Sequence, residues 1–150
     1  MAINQQEHFR ALESMYSAAP INAFYKPTML VEEGKATIEI TATEAHQHSA
    51  GAVHGSVYFK MLDDAAFFAV NSFESKVFVV TTSFTTYLTR PVGSGLLRAV
   101  GQVVNSNRQQ YIAEAIIYDQ EDKEIGRGNG VFMLSKMLLK DAAGYLQSDS

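Results

Sequence analysis

The stretch GSVYFKMLDDAAFFAVN, residues 55–71, constrains this chain more than any other. Apolar side chains fall on nearly every face of the helix it predicts, so the helix must be covered all round. Two adjacent carboxylates, Asp63 and Asp64, sit in its middle, and an acid in an apolar setting is costly. The chain must therefore supply a wrapper for this helix and a reason for the acids.

The wrapper is legible in the flanking sequence. Residues 5–19 read as a first helix, with Phe9, Leu12, Met15, Tyr16 and Ala19 at helical spacing and Pro20 as a stop. Ala36, Ile38 and Ile40 alternate with Thr37, Glu39 and Thr41, and Gly34 precedes them, which predicts a hairpin over about 28–41. Residues 43–53 are polar and small and read as a loop. Four β-rich runs follow the helix, KVFVVTTSFTTYLTRP, GLLRAVGQVVNSN, QYIAEAIIYDQ and EIGRGNGVFMLSKM, separated by the turn-forming PVGSG, NSNRQQ and DQEDKE. The tail from Leu138 predicts a helical turn and then a frayed end. A lone apolar helix among strands implies an antiparallel sheet curling around it, an α+β domain. Its core runs over about 28–136, in a chain of 150 residues with no visible linker or repeat.

The two acids differ in their surroundings. Neighbours at i±4 share a helix face. Asp64 has Lys60 at i−4, which predicts an ordinary surface ion pair. Asp63 has Phe59 and Phe67 at i±4 and no cation on its face. Two readings stand: a desolvated carboxyl with a raised pKa at a working site, or an acid on a less buried face that touches water.

The segment GAVHGS before the helix places small residues at its start. First-turn amides lack internal partners and lie at the positive end of the dipole, and Gly55 lets a ligand come close to them. An oxyanion fits there. Gly55 and Asp63 are eight residues apart, about 12 Å along one helix. If both act on one bond, the site combines elements of two chains.

Composition narrows the partners. A formal charge of −4 makes nucleic acid an unsuitable ligand. There is no cysteine, which excludes disulfides, thiolate zinc sites and thiol catalysis. The N-terminal residues lack an apolar signal core and no apolar run is long enough to span a bilayer, so the expectation is a soluble, cytoplasmic domain.

The residues Gly51-x-Val53-His54-Gly55-Ser56, followed by Leu62-Asp63, resemble the signature of hotdog-fold acyl-CoA thioesterases of the PaaI-like group. That signature is Gly-x-[Leu/Val]-His-Gly-[Gly/Ser], with an Asp or Glu nine residues after the His. The resemblance covers about residues 30–135, with weaker matches in FTTYLTRPVGSG and EIGRGNGVFML. It implies a hotdog fold and hydrolysis of a small or medium acyl-CoA thioester, by a homodimer or a dimer of dimers. Asp63 corresponds to the catalytic carboxylate, as general base or nucleophile, and Gly55 to the amide that polarises the thioester carbonyl. His54 orders the site, His48 stands where relatives carry a polar positioning residue, and Thr81 falls near a hydroxyl that orients water. The acid comes from one subunit and the amide from the other. Coenzyme A is part of the substrate, and no other cofactor is implied. Ser56 departs from the usual second glycine, but it tolerates the turn and can cap the helix.

Other residues carry less. His46-Gln47-His48 does not make a metal site, which needs three or four converging ligands; the expectation is no metal. Coenzyme A carries three phosphate groups. Ser106, Asn107 and Arg108 in the NSNR turn are the first candidates to meet them, and Arg90 the next, against the plainer reading of solvated charge. Phe67 lines an acyl pocket or simply packs. Gly126, Gly128 and Gly130 predict close approach to a strand, not a phosphate loop. Two rival functions remain open: a hotdog hydratase or dehydratase pairing His54 with Asp63, and a non-catalytic acyl-CoA-binding domain.

Overall fold

The computed structural model describes residues 3–145. Helix α1 spans Gln5–Ala18, where Asn4 and Glu7 form a reciprocal capping box. A single helical turn, α2 (Asn22–Tyr25), fits between Pro20 and Pro27 and was not foreseen from the sequence. Strands β1 (Thr28–Glu32) and β2 (Lys35–Ala42) form the expected hairpin. The segment 43–53, expected as a loop, holds a short 3-10 turn at Glu44–His46. Helix α3 spans Gly55–Asn71, the bounds anticipated from its pattern. Strands β3 (Val77–Leu88), β4 (Gly95–Ser106), β5 (Tyr111–Tyr118) and β6 (Glu124–Leu138) complete the chain, followed by a 3-10 turn at Leu139–Asp141. The frayed end foreseen after it lies beyond Tyr145, outside the described residues.

The six strands form one antiparallel sheet in the order β1-β2-β4-β5-β6-β3. Helix α3 lies across one face of it and touches all six strands. Small residues allow this close seat. Ala65, Ala66 and Ala69 of α3 are fully buried against a floor that includes Ala99, Ala113 and Ala115. Gly101 of β4 is the tightest point: a Cβ there would stand 2.2 Å from the Ala65 carbonyl carbon and oxygen. No side chain fits, so the helix backbone rests on the strand.

Strand β3 is a sheet edge, and a bulge between Thr81 and Ser83 gives it an extra residue, Thr82. The bulge reverses the inward–outward alternation. Thr81 before it and Phe84 after it therefore both face the helix, although three positions separate them. Phe84 lies over Gly128 and Gly130 of β6, whose absent Cβ atoms would come within 2.5 Å of its ring. Gly128 and Gly130 thus make room for an aromatic ring, and all three glycines, Gly126 included, bring β6 close to the backbone of β3, where Cβ atoms would stand 2.6–2.9 Å from carbonyl oxygens.

Candidate active site

Helix α3 runs from a polar start beside the end of β3 to an apolar finish. Its N-cap is His54, not Ser56: His54 Nδ1 accepts the Ser56 N–H at 3.0 Å. Ser56 Oγ lies 2.8 Å from the same nitrogen, which leaves its hydroxyl as the donor. Val57 N–H donates to the His54 carbonyl. Among the described residues nothing accepts the Gly55 N–H, the first helical amide. Gly55 lines a cleft of about 320 Å³ together with His48, Val53, Tyr58, Leu88, Arg90 and Pro91. The structure therefore gathers His48, Gly55 and Arg90 in one place. His48 Nδ1 accepts the Ala50 N–H at 3.0 Å, which fixes the ring. His54 turns into a neighbouring hollow with Ser56, its ring centre 6.4 Å from that of His48.

Asp63 stands two turns further along. Thr81 donates its hydroxyl to Asp63 Oδ1 at 2.8 Å, so the bulge in β3 delivers the partner of the acid. Burial pushes the carboxyl up to about 6, and the charge of Asp64 adds to this, while the Thr81 hydrogen bond and the charge of Lys60 oppose it. Lys60, at i−3, thus acts on Asp63 as well, so the expectation that no cation shares the face of this acid fails: residues three apart on a helix are neighbours too. Phe59 and Phe67 flank the acid as the spacing required. Phe67 packs on Phe68, Phe78 and Phe132. Phe59 leans on Phe84 yet stays 44% exposed, so this face of the helix is only partly covered by its own chain.

Asp64 is not the surface ion pair that Lys60 at i−4 suggests. The two side chains are only 12% (Lys60) and 21% (Asp64) exposed, with Nζ 2.7 Å from Oδ2. Tyr16 of α1 donates its hydroxyl to that oxygen, also at 2.7 Å. The charge next to Asp63 is therefore a tether between α1 and α3. The tether was hidden because Tyr16 is distant in sequence.

The residues chosen for phosphate divide. Arg90 lines the Gly55 cleft. Ser106, Asn107 and Arg108 do not: Ser106 aligns through Tyr111 and Phe132 with Thr81, whereas Leu88 aligns through Gly126 and Ile117 with Ala99. The NSNR turn and the cleft thus lie at opposite ends of the sheet, roughly 20 Å apart along the strands. Asn107 Oδ1 is already used, accepting the N–H groups of Gln109 and Gln110 to close the turn.

Tyr58 was missed. Its ring is buried and its hydroxyl donates to the Arg90 carbonyl at 2.8 Å, while Val53 N–H donates to the Val92 carbonyl. Together they clamp the Arg90-Pro91-Val92 wall onto the start of α3. A tyrosine in an otherwise buried helix must find a partner for its hydroxyl, and that was the available signal.

Among the described residues no helix is long and apolar enough to cross a membrane, and no three His, Asp or Glu side chains converge as a metal site. The thioesterase superfamily profile matches residues 50–125, the segment that carries α3 and β3. Among curated proteins no sequence matches the chain. Among solved structures, the E. coli PaaI protein from the phenylacetic acid degradation operon superposes with a TM-score of 0.81 at 21% identity, over 89% of this chain and 97% of that one. A thioesterase of Haemophilus influenzae superposes with a TM-score of 0.75 at 15% identity, over 100% of this chain and 97% of that one. The antiparallel sheet around a buried helix is thus the hotdog fold, and the chain belongs to the thioesterase superfamily.

Proposed function

We propose that this protein hydrolyses acyl-CoA thioesters at a site shared between two chains. One observation carries the reading: a raised carboxyl held by Thr81 and an open helix-start amide lie on the same helix, too far apart to grip one thioester. Both lie beside β3, an exposed sheet edge with Val80, Tyr87 and Leu88 open to solvent. An unpaired edge of this length favours pairing with a second copy. A two-fold arrangement would set Asp63 of one chain against Gly55 of the other and cover the open face at Phe59.

In that site the Gly55 N–H receives the thioester oxygen, His48 orders the groups around it, and His54, turned to the neighbouring hollow, holds the first turn of the helix by its cap. Asp63 takes a proton from water, and the hydroxide adds to the carbonyl carbon. The tetrahedral oxyanion rests on the Gly55 amide. Its collapse breaks the carbon–sulfur bond and expels the coenzyme A thiolate, which takes the proton back from Asp63. A carboxyl near 6 suits a base working at neutral pH. Thr81 holds the carboxyl in place, and Arg90 is the cation nearest the cleft for a coenzyme phosphate. The chemistry requires no metal or redox group.

A thiol-release screen over acyl-CoAs of differing length and aromaticity tests this, with product analysis for changes in unsaturation. Free thiol that vanishes in Asp63→Asn supports hydrolysis. A change in unsaturation without thiol release would establish the lyase reading, and tight binding without turnover the non-catalytic one.

A further inference from the structure

Three histidines surround the entry to α3, and all three are fixed in the same way. His46 Nδ1 accepts the Thr43 N–H, His48 Nδ1 the Ala50 N–H, and His54 Nδ1 the Ser56 N–H, each at 3.0 Å. An amide N–H only donates, so each Nδ1 must offer its lone pair and each ring carries its proton on Nε2. The three rings therefore present N–H donors. His48 lines the Gly55 cleft. The other two line a separate hollow of about 280 Å³ with Phe24, Tyr25, Ser56 and Val57.

His46 makes this hollow unusual. It is 8% exposed, and its Nε2 is buried with no acceptor. A buried donor without a partner is costly to leave so. The imidazole stacks on Tyr25 with ring centres 5.8 Å apart, and Phe24 crosses it at 5.2 Å. Phe24 is 56% exposed on the single-turn α2, so it forms the solvent-facing wall of the hollow. His54 stands across from His46: its N–H donates to the His46 carbonyl at 2.8 Å, next to the Gln47–Val53 bridge. Opposite residues of an antiparallel pair share a face, so both imidazoles serve the same hollow. The positive end of α3 adds to them.

We infer that this hollow is a binding site for a small planar aromatic carboxylate, distinct from the Gly55 cleft. The carboxylate receives the Nε2–H of His46 and of His54. The flat body lies against Tyr25 and Phe24. The inference does not rest on the thioesterase reading, because it needs neither Asp63 nor the Gly55 amide.

Imidazole ¹⁵N–¹H correlation spectra of the full chain, titrated with benzoate, test it. Saturable shifts of the His46 and His54 Nε2–H signals are expected, with His48 little changed. Acetate and inorganic phosphate should bind at least about tenfold more weakly, since neither can stack. His46→Phe should weaken benzoate about tenfold or more. Tyr25→Leu, which leaves the His46–Thr43 bond intact, should narrow the gap between benzoate and acetate. Absence of saturable shifts in the wild-type protein overturns the inference without any variant. So do shifts confined to His48, or phosphate binding as tightly as benzoate.

Discussion

Adjacent residues Asp63 and Asp64 should respond to the same substitution with opposite signs. The Asp63 carboxyl rises from 3.8 to about 6 in the folded protein, chiefly through burial. Between those values the folded form holds a proton that the unfolded chain has released. The benefit of folding with a protonated Asp63 is thus complete below 3.8 and is lost as pH rises through about 6. A rise of this size corresponds to about 3 kcal/mol, which solvent screening at a partly exposed group reduces to about 1–2 kcal/mol. Asp63→Asn removes that cost, and its amide oxygen still accepts the Thr81 hydroxyl. The variant should gain about 1–2 kcal/mol at pH 8, near zero at pH 4, and lose most turnover. Asp64→Asn leaves Lys60 without its counter-charge at a site only 12% exposed and weakens the Tyr16 tether. It should lose about 1–3 kcal/mol and retain most activity per folded molecule. Urea denaturation at pH 4, 6 and 8, at one protein concentration, reads both, alongside thiol release. A loss of stability in Asp63→Asn at pH 8 would refute the assignment of a strained, desolvated acid. Equal losses of kcat in the two variants would refute the division of labour between them.

Thr81→Val removes a hydrogen bond that favours the charged carboxyl, so the acidic limb of the pH–rate profile should move to higher pH; a limb that stays or moves down disproves the role of Thr81. Gly101→Val drives a side chain into the backbone of α3 at Ala65 and should unfold the protein or cost more than about 3 kcal/mol; a circular-dichroism melt near that of the wild type would contradict the helix seat. Gly55→Val and Asp63→Asn should each be nearly inactive. When mixed with confirmed subunit exchange, they should regain up to about a quarter of wild-type activity, from the half of the dimers that carry one intact site; no recovery between folded, exchanging subunits places the site within one chain.

Much of the fold was written locally. The bounds of α3, the hairpin and the four later strands follow from periodicity and turn residues, which act over a few positions and need no partner to be read. The contrast between Asp63 and Asp64 is only half legible: i−4 spacing finds the Lys60–Asp64 pair, but Lys60 at i−3 acts on Asp63 as well. The sequence motif at Gly55 likewise marks a helix start with a free amide. What tertiary structure decided depends on contacts between distant residues. The bulge at Thr82 has no local signature, yet it turns Thr81 toward Asp63. Tyr16 reaches Asp64 across 48 positions and converts a surface pair into a tether. Tyr58 finds the Arg90 carbonyl only once β3 has been laid beside α3. His54, not Ser56, caps the helix because the loop returns its ring over the first turn. Arg90 and the NSNR turn looked alike as basic loops, and only the sheet register set them at opposite ends. Local spacing decides which residues share a face. Only packing decides which faces meet.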